Sequence, residues 1–338
     1  MTAHPGARRG VRIVGVGSYL PEHRLTNADL VRMMETSDAW IVQRTGIRER
    51  RVADLEGGET ASTLATLALR EALASAHLTP NDLDLIVCAT MTAEMECPSC
   101  ACLIANAIGA SRAGAFDLNA ACSGFVFGLN VAHELLRGGA YGTIGLIGVD
   151  TLSKFMRYNT AGRGTSIIFG DAAGAAVLKA TDDASLGILA QTMHADGAGW
   201  KDIYVPHRNS DFPPGVTPDP TQCGFVQMSG ASVFKFAVGT FPDLIQETLD
   251  KARLRPDDVD MYVCHQSNAR ILLAARERFG IPEEKLYINI DRVGNTVAAS
   301  VPLCFDDLIK SGRVKPGMKV MFVAFGGGLT WGSSLWQI

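Results

Sequence analysis

The chain carries one stretch of itself twice. Residues 71–90, EALASAHLTPNDLDLIVCAT, lie over residues 247–266, ETLDKARLRPDDVDMYVCHQ, with Glu71 on Glu247, Leu78 on Leu254, Pro80 on Pro256, Asp84 on Asp260 and Cys88 on Cys264. Each copy reads as a helix, a proline turn and a buried strand, so the chain is expected to fold as two similar halves. Residues 1–182 are taken as the first half, with 183–338 as the second. Further along, HELLRGG at 133–139 lies over DDLIKSG at 306–312, a register that puts Cys122 opposite Asn295.

Around the repeat, short apolar runs alternate with longer helical segments. Strands are predicted over 11–16, 83–90, 144–149, 173–178, 259–264, 286–290 and 319–325, and helices over 60–76, 122–137, 231–252, 267–279 and 297–311. Strands apolar on both faces, interleaved with helices, indicate an α/β arrangement in which helices cover sheets. With 338 residues, 47% of them hydrophobic, the chain can bury a core of that size. The stretch 205–224, rich in Pro, Asp and Asn, reads as a long surface loop rather than a linker, because strand and helix patterns resume after it.

Several function classes fall away. A formal net charge of −4 gives no bulk attraction to nucleic acid or to an anionic membrane. No apolar run approaches the roughly 18–20 residues needed to cross a bilayer, and the start MTAHPGARRGVRIVG lacks a leader pattern, so a cytoplasmic protein is expected. The eight cysteines sit mostly in apolar stretches and read as reduced thiols. Cys97, Cys100 and Cys102 offer half of a zinc site, but no second Cys-x-x-Cys or close His pair supplies the other half, so no metal is expected. Gly15-Val16-Gly17-Ser18-Tyr19-Leu20 lacks the third glycine of a dinucleotide fingerprint, and no Gly-Lys-Ser/Thr phosphate loop exists.

The reactive candidates lie at predicted helix starts and strand ends. Cys122, in NAACSGF, heads the apolar helix FVFGLNVAHELLRGG, where unpaired N–H groups and the helix dipole favour a thiolate. On that segment alone a buried, inert thiol remains an equal reading. His265 follows the strand VDMYVC, at the kind of strand end where α/β folds place ligands, though a hydrogen-bonded structural histidine also fits. Asn295, in GNT, reads alone as a turn or cap. The duplication is what brings the three together. A Cys, His and Asn set suits a papain-like hydrolase, in which Asn orients the base. It also suits a condensation, in which neutral His and Asn donors hold an enolate oxygen. Gly326, Gly327 and Gly328 can offer backbone N–H groups to a second oxyanion.

At these residues the chain resembles the β-ketoacyl-acyl carrier protein synthase III family of the thiolase superfamily. The resemblance runs from GVGSYLP through TSDAWIVQRTGIRER, AACSGF, GRGTSIIFGDAAGAAVL, CHQSNARI and GNTVAASVP to AFGGGLTWGSSL. It implies a duplicated thiolase-like five-layer αβαβα fold, a homodimer and a ping-pong reaction without a cofactor. Cys122 would take an acyl group from acyl-CoA; malonyl-acyl carrier protein would then lose carbon dioxide and attack the acyl-enzyme, with His265 and Asn295 as the other catalytic residues. The oxyanion hole would be the N–H groups of Cys122 and Gly327. Trp40, Arg44 and Arg163 would contact the nucleotide of CoA, and Gly230, Phe234 and Asn268 its pantetheine arm.

Cys97 and Phe325 would border the acyl pocket, Cys97 reaching it from the partner subunit. Typical members have Ser after the Thr of GNT and an aromatic residue after the glycines, where this chain has Val297 and Leu329. With Cys97 where short-chain enzymes often carry Phe, a pocket larger than acetyl-sized is expected. Lys235, Arg270, Arg276 and Arg278 are the candidate surface for the acidic carrier protein, although Arg276 and Arg278 flank Glu277 and also read as a solvated helix face. A secondary-metabolism condensing enzyme on the same fold, and a metal-stabilised binding protein built on the Cys97 cluster, are the competing readings.

Overall fold

The computed structural model describes residues 9–338; residues 1–8, on which the expectation about the start MTAHPGARRGVRIVG partly rests, lie outside the described residues. Two sheets form the frame. The first runs in the order Gly10–Tyr19, Ala172–Thr181, Thr143–Asp150, Leu85–Ala89, Gly114–Leu118, and the second in the order Gly187–Ala195, Thr330–Gln337, Lys319–Gly326, Met261–Cys264. Strand directions repeat as well. Leu85–Ala89 pairs parallel with Thr143–Asp150, and Met261–Cys264 parallel with Lys319–Gly326; the remaining two pairings towards the far edge of each sheet are antiparallel.

Helices fill the layers between and outside the sheets. Gly124–Arg137 and Ser300–Lys310 lie between the sheets, where Phe125, Leu129, Val301 and Phe305 pack with Leu146 of one sheet and Phe322 of the other. Ala61–Ser75 and Cys100–Ile108 cover the outer face of the first sheet, and Gly230–Ala252 and Ala269–Phe279 that of the second. The result is five layers, αβαβα, as the sequence led us to expect. The central strands Thr143–Asp150 and Ala172–Leu178 are buried on both faces, which is why they read as unbroken apolar runs.

Two expectations are corrected. Residues 286–290 do not form a strand: Leu286 makes one parallel bridge to Tyr262, and Ile290 already starts the short helix Ile290–Val293. This segment stands where the first sheet has its edge strand Gly114–Leu118. The second correction concerns register. The two interlayer helices align at their starts, Gly124 with Ser300, and each follows a single 3-10 turn, Ala121–Ser123 or Val297–Ala299. That spacing is the one that aligns Glu71 with Glu247. Cys122 therefore corresponds to Ala298, and Asn295 to Asn119. The match of HELLRGG to DDLIKSG aligned helix ends instead, and the second helix, at 11 residues against 14, stops three residues sooner.

Candidate active site

Each half contributes the same local device, an asparagine at the end of one segment followed by a tight turn into an interlayer helix. Asn119 Oδ1 accepts from Ala121 N at 3.2 Å, and Asn295 Oδ1 accepts from Val297 N at 2.9 Å. Ala121 and Val297 both take positive φ, 46° and 52°, a left-handed geometry rare outside glycine. The turn in the first half presents Cys122; the matching turn in the second presents Asn295. Because Oδ1 of Asn295 is bound to Val297 N, its Nδ2 group is the end left to donate to a ligand.

Cys122, Asn295 and His265 line one cavity of about 480 Å³, together with Phe325, Gly326 and Gly327 at the end of Lys319–Gly326. Gly326 has to be glycine here. A Cβ on it would stand 2.7 Å from Cys122 N and 3.0 Å from Cys122 Cβ. The N–H groups of Cys122 and Gly327 both reach the thiol and favour its anion, but burial and the neighbouring Asp150 outweigh them and push it up to about 12. The helix dipole behind Cys122 acts with the N–H groups, against the burial and the Asp150 carboxyl that favour the neutral thiol.

Asp150 is itself buried. It accepts from Met91 N, Thr90 Oγ1, Thr92 Oγ1 and Ala298 N, so one carboxyl joins the strand ends of the first half to the Asn295 turn of the second. Desolvation raises it to about 7 despite those bonds.

His265 continues the strand Met261–Cys264, its N–H donating to Val323 O at 2.8 Å. Its ring is buried, stands edge-on to Phe325 at 5.5 Å, and is held by desolvation at about 3, so it is a neutral imidazole. Nδ1 lies 2.6 Å from Ser300 Oγ. Ser300 was not singled out in the sequence, nor was Thr330, whose hydroxyl donates to Ala120 O and Gly327 O and so ties the cysteine turn to the glycine turn.

The cavity opens past Trp40. Its ring carries the guanidinium of Arg44 at 4.8 Å and that of Arg163 at 4.9 Å. Trp40 and Arg44 line the opening, whereas Arg163 stands behind the ring and donates to Glu35 O. Gly230, Phe234 and Asn268 also line the cavity; Asn268 Oδ1 caps Ala269–Phe279, and its Nδ2 donates to Arg44 O at 2.9 Å. Arg270 lies over Phe234 at 5.1 Å, and Lys235 is exposed beside it. Arg276 and Arg278 are paired with Glu283 and Asp243 at 3.0 and 3.1 Å. Cys97 is exposed and does not line the cavity of its own chain. Among the described residues, no group of three or more His, Cys, Asp or Glu side chains is placed to hold a metal ion, and no helix is long and apolar enough to cross a membrane.

Family profiles described as 3-oxoacyl-[acyl-carrier-protein] synthase III match residues 116–197, and as its C-terminal part residues 249–338. The β-ketoacyl-[acyl-carrier-protein] synthase III of Caldanaerobacter subterraneus subsp. tengcongensis is 45% identical over 96% of each chain. The chain belongs to the 3-oxoacyl-[acyl-carrier-protein] synthase III family. It is thus an acyl-transferring condensing enzyme with a thiolase-type fold. The crystal structure of 3-oxoacyl-[acyl-carrier-protein] synthase III from Aquifex aeolicus superposes with a TM-score of 0.89 at 40% identity, covering 97% of this chain and 100% of that one. The priming β-ketosynthase of the R1128 polyketide pathway superposes at 0.90 with 32% identity, covering 100% and 99%.

Proposed function

We propose that the protein starts fatty-acid synthesis by joining an acyl-CoA primer to malonyl-acyl carrier protein in a ping-pong decarboxylative Claisen condensation. The observation that carries this reading is the convergence of Cys122, His265 and Asn295 on one cavity that Trp40 and Arg44 also line, with Arg163 against the Trp40 ring. Its two halves, 1–182 and 183–338, divide the work: the first brings the nucleophile and the second brings His265 and Asn295.

In the first half-reaction the sulfur of Cys122 attacks the thioester carbonyl of the primer. The N–H groups of Cys122 and Gly327 hold the oxygen of the tetrahedral intermediate, and CoA leaves with the thiol proton. Trp40 stacks the adenine, Arg44 and Arg163 pair with its phosphates, and the wall of Gly230, Phe234 and Asn268 guides pantetheine. In the second, carbon dioxide leaves the malonyl thioester and the enolate oxygen accepts from His265 and Asn295. Its carbon attacks the acyl carbonyl, a carbon–carbon bond forms, and the Cys122 sulfur is expelled as a thiolate that takes a proton from water to restore the thiol. A histidine held neutral suits that task, because an imidazolium would protonate the carbanion. No cofactor enters.

The partners are acyl carrier protein and a second copy of the chain, in the cytoplasm. Gly114–Leu118 supports the homodimer: it is an edge strand whose Phe116 is 38% exposed, a surface that needs covering. Exposed Cys97 then has the neighbouring cavity to reach, opposite Phe325. Incubation with a panel of acyl-CoAs followed by malonyl-acyl carrier protein tests the reading, with mass spectrometry of the enzyme and the product. The acyl group should appear on the peptide containing Cys122 and a 3-oxoacyl-carrier protein should follow; in Cys122→Ser acylation should fall by about a thousandfold or more. Acyl label on another peptide would refute the assignment.

A further inference from the structure

We propose that Ser300 is the positioning residue that fixes His265 as an Nε2–H donor facing the cavity. The inference rests on the role given to His265 above and extends it to a residue that touches no substrate. A neutral imidazole has one N–H and one lone pair, and the nitrogen facing the substrate decides whether the ring donates or accepts. Among the described residues, the one side-chain hydrogen bond of the His265 ring joins Nδ1 and Ser300 Oγ, at 2.6 Å. Direction follows from the hydroxyl's other contact. Gln266 N donates to Ser300 Oγ at 3.4 Å, and among the described residues no carbonyl or carboxylate accepts the hydroxyl hydrogen. Were Nδ1 to carry the proton, Ser300 would accept twice while its own buried hydrogen had no acceptor, an arrangement native structures avoid. With the hydroxyl donating to Nδ1 and accepting from Gln266 N, both Ser300 Oγ and Nδ1 are satisfied, and the ring's one N–H is left on Nε2 to meet a ligand in the cavity.

The duplication supplies an independent observation. In the shared register His265 corresponds to Ala89 and Ser300 to Gly124, and a Cβ on Gly124 would meet the Ala89 Cβ at 3.0 Å. The same two positions touch in both halves. In the half without the imidazole the hydroxyl is missing too, so the pair is present or absent together. A serine needed only to start the helix would have no reason to follow the histidine.

The test separates the half-reactions in Ser300→Ala, Ser300→Thr and His265→Ala, and reads the ring nitrogens of His265 in the wild-type enzyme by NMR. In Ser300→Ala, kcat for malonyl decarboxylation should fall by roughly 10- to 100-fold, with KM for the malonyl thioester and acylation of Cys122 within about twofold. Ser300→Thr, which keeps the hydroxyl, should recover a large part of that loss. The wild-type ring should carry its proton on Nε2. A wild-type proton on Nδ1, or undiminished decarboxylation in Ser300→Ala, would overturn the proposal while leaving the function of the site intact. Undiminished decarboxylation in His265→Ala would instead remove the histidine's role and this inference with it. The wild-type spectrum decides even if a variant fails to fold.

Discussion

The two halves of the molecule start their interlayer helices in the same way and put different chemistry on them. Asn119 to Gly124 and Asn295 to Ser300 share an asparagine bonded two residues ahead, a left-handed residue and a single 3-10 turn. Cys122 stands opposite Ala298, and His265 with Ser300 stands opposite Ala89 with Gly124. A fold duplicated for packing reasons thus supplies two equivalent strand-end positions around one centre. Each half has kept the reactive groups the other lacks. The backbone device is common property; the side chains divide the reaction.

That comparison is broken most severely by exchanging equivalent positions. Asn295→Ala removes both the turn bond to Val297 N and the Nδ2 donor, whereas Asn119→Ala removes only its turn bond. We expect Asn295→Ala and His265→Ala to lower malonyl decarboxylation by roughly 10²- to 10³-fold while acyl transfer to Cys122 stays measurable. Asn119→Ala should cost about 1 kcal/mol of stability and leave the decarboxylation rate within a few-fold. Separate kinetics of the two half-reactions decide the matter. If His265→Ala and Asn295→Ala lose both steps equally, the groups act on the thiol as in a papain-like site. If Asn119→Ala is as slow as Asn295→Ala, the turn rather than the amide is what matters.

What could be read in the sequence follows the same division. Cys122 and His265 could be picked out because one heads an apolar helix and the other ends an apolar strand, so each is a chain neighbour of the run that marks it. The groups that hold them were not. Ser300 lies 35 residues from His265, and Thr330 lies 207 from Ser123, to which its hydroxyl also bonds, so neither contact leaves a local pattern. The strand Thr330–Gln337 escaped notice because Ser333 and Ser334 lie in its buried centre; Ser333 bonds Thr248, and Trp336 Nε1 donates to Ser334 Oγ at 2.7 Å. Periodicity registers hydrophobicity, not satisfied hydroxyls. The match of 133–139 to 306–312 fell out of register with the 71–90 repeat for a related reason: helix ends carry visible Gly signals, whereas the halves agree at the helix starts.

Acid sharpens the contrast between His265 and Ala89. Burial depresses His265 from the usual 6.5 to about 3, so between those values the unfolded chain binds a proton that the native ring refuses. Stability carried by the neutral ring is present above about pH 6.5 and lost as the pH falls, by up to about 1.4 kcal/mol per unit. Asp150 works with the opposite sign. Raised from 3.8 to about 7, it contributes most below pH 3.8 and loses that contribution as the pH rises through about 7. The aspartate is common to wild type and His265→Ala and cancels in their difference. Urea unfolding at a series of pH values should show wild type losing stability faster than His265→Ala from about pH 6.5 downward. Parallel curves would mean the ring is solvated, contrary to its burial.

The smallest effect concerns the outer surface of the second half, which the first half does not mirror with a cavity mouth. Four cations were candidates for docking an acidic carrier protein, and the ion pairs divide them. Arg276 and Arg278 already face Glu283 and Asp243. Exposed pairs of this kind hold about 0–1 kcal/mol, but they offset the local charge an acidic partner would meet. Among the described residues neither Lys235 nor Arg270 is in an ion pair, and Arg270 rests on Phe234 at the cavity wall. Charge reversal at Lys235 or Arg270 should therefore raise KM for malonyl-acyl carrier protein about three- to tenfold at low salt, and by less as salt screens the encounter. Reversal at Arg276 or Arg278 should do less than either. Malonyl-CoA, which brings no protein surface, should be used nearly unchanged by all four variants. Steady-state kinetics with both substrates across a salt series measure this, and an unaltered carrier-protein KM in the Lys235 and Arg270 double reversal would move the docking surface elsewhere.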